Sequence, residues 1–211
     1  MRESYMTAGS SASAELLIQK SRFIGFAARA ETEQQAVEFI DSIKARNRSA
    51  NHNCSAYMLG EHDSIQKAND DGEPSGTAGV PILEVLKKKH LKETVIVVTR
   101  YFGGIKLGSG GLIRAYGKAA SEALTAAGIV ERRLHCLMKV TIDYTWLGKV
   151  ENEIRQSVYP LKDIEYTDGV ILYVHVPIAE EETFIDWMQE LTNGQSSLIC
   201  TSKEYLEFPI I

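Results

Sequence analysis

Two glycine-rich segments interrupt the first half of the 211-residue chain, and they constrain its fold more than any other feature. The first, DDGEPSGTAG at residues 70–79, consists of turn and cap residues. The second, TRYFGGIKLGSGG, covers residues 99–111. Between them TVIVV, residues 94–98, is a short β-branched run with polar neighbours, which is typical of a buried central strand. We therefore expect a central strand between two loops, each of which opens a helix.

The remainder of the first half shows strand and helix periodicities. Apolar residues at helical spacing predict a helix over residues 33–46, with Thr32 placed to cap it. The polar stretch over residues 7–13 is expected to be a frayed tail. The other predicted elements are strands over residues 16–21, 22–29, 54–59 and 64–67 and helices over residues 80–90 and 108–128.

The second half follows the order βαββαβ, which predicts a ferredoxin-like unit. Asp168-Gly169 is a strong hairpin turn between two of its strands. We place a boundary within residues 128–133, so the chain is predicted to be a two-domain α+β protein with domains 1–130 and 131–211. The elements of the second domain are predicted as strands 137–144, 163–166, 170–176 and 198–207 and helices 146–157 and 180–193.

Composition points to a reducing, aqueous compartment. Hydrophobic residues make up 44% of the chain, enough for a core, yet no window is long and apolar enough to span a membrane. The N-terminus lacks the pattern of a signal peptide, so we expect a cytoplasmic protein with no membrane contact. Cys54, Cys136 and Cys200 stand far apart, and we expect three free thiols. A nucleophilic Cys54 beside His52 is the alternative.

Charge is distributed unevenly along the chain. The net charge is −5, with 17 basic and 15 acidic residues up to residue 132 and 6 basic and 13 acidic residues after it. The two parts therefore carry +2 and −7. The first part is suited to approach a phosphate backbone, whereas the second would repel one.

Three basic side chains, Arg100, Lys106 and Arg114, accompany the second glycine-rich segment. Loops that open a helix favour anions, because helix N-termini carry unpaired N–H groups and partial positive charge. Tyr101 and Phe102 are placed to stack on a base. Each glycine alone is explained by a turn or a cap, but the whole segment favours binding of a phosphate or a nucleic-acid backbone. The predicted binding residues are Arg100, Tyr101, Phe102, Gly103, Gly104, Lys106, Gly108, Ser109, Gly110 and Arg114.

The first glycine-rich segment supplies a second candidate loop. Its acidic trio suits magnesium, which prefers carboxylates and retained water. The alternative is a solvated turn whose carboxylates cap the next helix, and acidic residues are ordinary at helix starts. We favour the cap, so no metal or cofactor is predicted and magnesium stays the alternative. The residues of this loop are Asp70, Asp71, Glu73, Ser75, Gly76 and Thr77.

Four motifs give the chain a strong resemblance to the YigZ/IMPACT family: KSRFIGFA from Lys20, NHNCSAY from Asn51, DDGEPSGTAGVPILEVL from Asp70 and VVTRYFGGIKLGSGGLIRAY from Val97. They add Lys20, Arg22 and His52 to the candidate site residues. The resemblance implies a first domain like a ribosomal-protein domain and domain IV of elongation factor G. It implies a second domain like domain V of that factor. IMPACT itself restrains an amino-acid-starvation kinase through a ribosome-associated activator.

These observations lead to three functional expectations. The first is a non-catalytic, RNA- or ribosome-associated regulator of translation or stress response that binds a phosphate backbone through residues 99–114. The second is a magnesium-assisted enzyme acting on a phosphorylated small molecule, although Ile113 replaces the third glycine of a dinucleotide fingerprint and no P-loop is present. The third is a regulator that binds only protein partners. Nothing in the sequence calls for an oligomer, so we expect a monomer.

Overall fold

The computed structural model describes residues 1–210, which form ten strands and five α-helices. The chain divides into two compact units, one built mainly from Tyr5–Glu131 and the other from Arg132–Glu207. The last residue of the predicted second domain, Ile211, lies outside the described residues. The α+β class and the two-domain organisation agree with the sequence prediction. Within residues 1–210, no helix has both the length and the apolar character that crossing a membrane requires.

The first unit is a five-stranded antiparallel sheet with helices on both faces. Its elements are β1 (Ser4–Ala8), β2 (Ala12–Ile18), β3 (Ser21–Arg29), α1 (Glu33–Arg46), β4 (His52–Leu59), β5 (Ile65–Asn69), α2 (Gly79–Lys88), β6 (Thr94–Tyr101) and α3 (Gly108–Ala127). The strand order in the sheet is β2-β3-β6-β4-β5, so the β-branched strand β6 lies at the centre, as predicted.

The two faces of this sheet bury separate cores. One face packs against α2 and α3, and its largest fully buried side chains include Phe23 and Tyr116. The other face packs against α1 around Ala36 and Val95. Side chains of a strand alternate between faces, so neighbours along β6 belong to different cores. This alternation decides which candidate residues meet.

Two segments of the first unit differ from the prediction. The stretch expected to be a frayed tail is ordered: Thr7 is buried in β1 and its hydroxyl lies 3.3 Å from that of Thr94. The carbonyl of Met6 accepts a hydrogen bond from the Lys92 N–H, which holds this segment in place. The contact joins residues that are far apart in the chain, so the polar composition of residues 7–13 does not predict it. Strand β6 extends to Tyr101, so the loop before α3 is only residues 102–107.

The second unit has the predicted ferredoxin-like topology. Its elements are β7 (Ile129–Ile142), α4 (Leu147–Gln156), β8 (Leu161–Tyr166), β9 (Val170–Pro177), α5 (Glu181–Leu191) and β10 (Ser197–Pro209). β7 pairs with both β9 and β10, and β9 pairs with β8, giving the order β10-β7-β9-β8 of a split βαββαβ unit. The apolar sides of both helices pack on the sheet through Val150 and Phe184.

The prediction of three free thiols is wrong for two of them. Cys136 on β7 and Cys200 on β10 form a disulfide, with their Cα atoms 5.7 Å apart, and Cys54 is the free, buried cysteine. The two partners are 64 residues apart in the chain and come together only because β7 and β10 are adjacent. Their spacing in the sequence therefore gave no sign of the pairing.

A substitution at Gly25 tests the close approach of α3 to β3. A Cβ at Gly25 would lie 2.4 Å from the carbonyl oxygen of Ala119, so Gly25→Ala must displace α3. We expect it to lower the free energy of unfolding by about 1–3 kcal/mol in urea denaturation. Gly117→Ala is the matched control, because a Cβ there meets nothing within 4 Å, and it should stabilise the helix by roughly 0.5–1 kcal/mol. Equal stability of Gly25→Ala and the wild type would contradict this packing.

Candidate functional site

Three side chains at the candidate site lie at directly opposed positions on three neighbouring strands, at one end of the sheet of the first unit. The strand register places Phe23 on β3 and His52 on β4 directly opposite Arg100 on β6. Strand alternation turns Arg100 toward the face covered by α2 and α3, where Phe23 is also buried. The arginine that the sequence analysis placed on an exposed loop is therefore only 5% exposed.

A single buried carboxylate, that of Glu73, holds this end of the sheet to the helices. Its Oε1 accepts a hydrogen bond from Arg100 Nη1 at 2.6 Å and another from the Tyr116 hydroxyl at 2.7 Å. His52 Nε2 lies 3.9 Å from the same oxygen. The side chains of Glu73 and Arg100 are 4% and 6% exposed, so this ion pair is shielded from solvent. Strands β4 and β6 and helix α3 thus converge on one atom.

The loop over residues 70–79 is shaped by Asp70. Its carboxylate accepts hydrogen bonds from the backbone N–H groups of Gly76, Ala78 and Gly79 at 2.8–3.0 Å, and so caps the start of α2. Partial burial opposes ionisation, but these three donors outweigh it and lower the pKa of Asp70. The Asp70 carbonyl accepts the N–H of Glu73, which fixes the turn that carries the buried carboxylate. The capping role considered for Asp70 is therefore observed.

The carboxylate of Asp71 also forms its hydrogen bonds with other residues of the protein. One carboxylate oxygen accepts the backbone N–H of Asn53 at 2.6 Å and the other lies 3.1 Å from Lys44 Nζ. Thr77 is buried and donates its hydroxyl hydrogen to the Pro74 carbonyl, whereas Ser75 is exposed. The Asp70 and Asp71 carboxylates thus face different backbone and side-chain donors.

The thiol of Cys54 is a structural group in this arrangement. It donates to the Asp70 carbonyl at 2.9 Å. The pKa of Cys54 is raised to about 12, mainly by burial and in smaller part by the acidic neighbours Glu73 and Asp71. Burial likewise raises the pKa of Tyr116. A protonated thiol is a poor nucleophile near neutral pH, so the geometry disfavours covalent catalysis by Cys54.

The start of α3 has the features of an anion site. The helix is 20 residues long, its first turn contains no acidic residue, and no side chain within residues 1–210 caps it. Gly108, Ser109 and Gly110 are all exposed there, and Gly108 has a φ of +69°, which glycine adopts without strain. The guanidinium of Arg114 lies over Gly110, 3.6 Å from where a Cβ would be. First-turn N–H groups at such an end are free to bind an anion.

A cavity of about 400 Å³ lies beside this helix end. Its lining combines Arg100, Lys106, Gly108 and Ser109 with the apolar side chains of Phe102 and Leu112, among others. The guanidinium carbon of Arg100 lies 5.4 Å from the ring centroids of both Phe23 and Phe102, so it makes a cation–π contact with each ring. Arg100 Nε is buried and has no hydrogen-bond partner among the described residues. Phe102 itself is 45% exposed, so its ring remains available to a ligand.

Other predicted residues lie on the opposite face of the sheet. The Tyr101 hydroxyl donates to Asn47 at 3.0 Å, and the guanidinium of Arg22 covers the Tyr101 ring at 5.5 Å. Arg22 also pairs with Glu15. Tyr101 and Phe102, which the sequence analysis placed side by side for stacking, therefore belong to different faces.

The turn at Lys20 contributes backbone rather than charge. A Cβ at Gly103 would lie 2.0 Å from the Lys20 carbonyl oxygen, so glycine is required for this approach. Gly103 also donates its N–H to the hydroxyl of Ser21 at 3.2 Å. Gly104 follows with a φ of +85°. These glycines position the loop that carries Phe102 and Lys106.

Sequence reasoning missed several residues that organise the site. Tyr116 is not among the predicted site residues, yet its hydroxyl donates to Glu73. Asn51 accepts the N–H of Phe102 at 2.8 Å, which holds the start of the loop. A tyrosine within an otherwise apolar helix face is the one signal that indicated a buried polar partner, because a buried hydroxyl usually finds one.

Removing the cation of the buried pair should be costly. In Arg100→Met the Glu73 carboxylate stays buried without its partner, and we expect the free energy of unfolding to fall by about 3–5 kcal/mol. The control is Glu73→Gln combined with Arg100→Met, which leaves no unpaired charge and should lose less than the sum of the two single losses. Denaturant titration measures all four proteins. An unchanged stability of Arg100→Met would contradict the pairing.

The chain is similar to known proteins over nearly its whole length. A family model described as the Impact N-terminal domain matches residues 19–124, and one described as a domain of unknown function (DUF1949) matches residues 140–195. Over 207 residues it is 57% identical to IMPACT family member YvyE of Bacillus subtilis (strain 168), which covers 98% of this chain and 95% of that protein. It is 34% identical to IMPACT family member YigZ of Escherichia coli (strain K12), over 86% of this chain and 90% of that protein.

A solved structure supports the fold at full length. It is described as the crystal structure of a hypothetical protein, with a TM-score of 0.61 and 31% identity. The match covers 96% of this chain and 99% of that one. The resemblance inferred from the four motifs is therefore confirmed, and both units of the fold have counterparts in relatives.

Proposed function

The chain belongs to the IMPACT family, and we propose that it is an RNA- or ribosome-associated regulator of translation or stress response. In this proposal it binds a phosphate backbone at the start of α3. The binding residues are Lys106, Arg114 and the first N–H groups of the helix. The loop over residues 70–79 supplies Glu73, which holds Arg100 beside this site.

The observation that carries the proposal is the uncapped start of α3 beside a cavity. Elsewhere in the first unit, Thr32 caps α1 and Asp70 caps α2. At α3 no side chain of the part of the chain that the structure describes takes that place, and the adjacent positive side chains are exposed. A phosphate group supplies the acceptors and the negative charge that such a helix end lacks.

The aromatic side chain of Phe102 in the lining of the cavity favours a nucleic acid as the ligand over an anion that carries no base. The Phe102 ring rests against the guanidinium of Arg100, which Glu73 holds in place. With the ring positioned in this way and still partly exposed, it offers a flat apolar surface for a base. The stacking role expected for Tyr101 and Phe102 together therefore passes to Phe102 alone.

The distribution of charge decides which residues attract the backbone. Glu73 neutralises Arg100 within the buried pair, so Arg100 positions the ring and adds little net charge. Lys106 and Arg114 are exposed and make no ion pair with another residue in 1–210. They supply the long-range attraction in this proposal, in the part of the chain that has a net charge of +2.

The proposal is tested with Lys106→Ala combined with Arg114→Ala, which spares the buried pair and hence the fold. Binding of single-stranded RNA and of ribosomes is measured across a salt series by fluorescence anisotropy and co-sedimentation. Loss of two phosphate contacts should weaken binding at low salt and reduce the slope of log K against log salt by about 1.4.

The matched control is Lys87→Ala combined with Lys88→Ala, which removes the same charge from exposed positions at the end of α2. This variant should retain the wild-type affinity and salt slope, apart from the small decrease that the loss of two positive charges causes anywhere on the surface. If both double variants lose affinity equally, the attraction is diffuse and the α3 site is rejected. If the wild type binds neither RNA nor ribosomes at low salt, the proposal fails in favour of a protein partner.

A further inference from the structure

A cluster of metal-ligating side chains lies in the second unit, apart from the α3 site. The sulfur atoms of Cys136 and Cys200 and a carboxylate oxygen of Glu181 all lie within 4.8 Å of one another. Cys136 and Cys200 come from the adjacent strands β7 and β10, and Glu181 is the first residue of α5. Three separate elements of the ferredoxin-like unit therefore bring these groups together.

Burial differs among the three side chains in a way that allows an ion to enter. Cys136 is fully buried in the core, whereas Cys200 and Glu181 are partly exposed. Within residues 1–210 the Glu181 carboxylate forms no hydrogen bond or ion pair. The Glu181 carboxylate therefore lies beside two sulfur atoms, and no hydrogen bond or ion pair within residues 1–210 accounts for its position.

The donor set selects the kind of ion. Magnesium and calcium prefer ligand sets made of oxygen, whereas thiolates favour zinc and other soft divalent ions. Zinc binds cysteine sulfur at about 2.3 Å and carboxylate oxygen at about 2.0–2.2 Å, usually with tetrahedral geometry. We propose that the reduced Cys136–Cys200 pair and Glu181 bind one Zn²⁺ per chain, with water at the fourth position.

Zinc binding and the disulfide exclude each other, because both use the same two sulfur atoms. A small-molecule disulfide oxidises the zinc dithiolate: the two thiolates give up two electrons and form the Cys136–Cys200 bond. The oxidant takes those electrons and leaves as two thiolates, and Zn²⁺ is released. The structure shows the oxidised form, and a dithiol reductant reverses the reaction. This site is independent of the RNA proposal.

The test is a zinc titration of the full-length protein after reduction, under anaerobic conditions, against a chromogenic chelator. We expect one Zn²⁺ per reduced chain and none on the disulfide form. Cobalt replaces zinc as a spectroscopic probe, and thiolate-to-cobalt absorption should appear only on the reduced protein. Addition of oxidised glutathione should release the metal in proportion to disulfide formation.

The variants separate this site from non-specific thiol binding. Cys200→Ser and Glu181→Gln change partly exposed positions, and each should weaken zinc binding by at least about tenfold, the loss seen even for outer-shell partners of a metal site. Cys54→Ser is the control, since that thiol lies in the first unit and should leave binding unchanged. Circular dichroism checks that each variant is folded. Equal zinc binding by the reduced wild type and Cys200→Ser would overturn the proposal.

Discussion

The ion pair between Glu73 and Arg100 is the interaction on which the candidate site depends. Both groups are buried, and a buried charge is tolerated only when it is paired and hydrogen-bonded. One oxygen of Glu73 accepts a hydrogen bond from Arg100 and another from Tyr116, which ties this end of the central strand to α3. The pair thereby fixes the point at which the chain leaves β6 for the loop that precedes α3.

This constraint separates residues that hold the site from residues that meet a ligand. Asp70 caps α2 and so orients the turn that delivers Glu73. The buried guanidinium of Arg100 then contacts the ring of Phe102 and helps to hold it in position. The groups left facing solvent are Phe102, Lys106, Arg114 and the start of α3, so the proposed binding surface is small and consists of exposed groups held by buried ones.

Local patterns in the sequence were sufficient for most of the elements, but not for strand β1 or for the contacts between elements. The β-branched run at residues 94–98 and the helix from Gly108 follow from propensity and turn residues, and both are observed. The burial of Arg100 depends on strand register and on a carboxylate 27 positions away, which no periodicity reports. The Cys136–Cys200 bond and the ordered Thr7 likewise arise from pairing between distant segments.

The most direct test of the account is photo-crosslinking of the wild-type protein to a short single-stranded RNA that contains 4-thiouridine, with the linked peptides identified by mass spectrometry. The account predicts crosslinks within residues 102–114, with Phe102 the main aromatic contact. Crosslinks confined to the acidic second unit, or to the opposite sheet face at Tyr101 and Arg22, would contradict it.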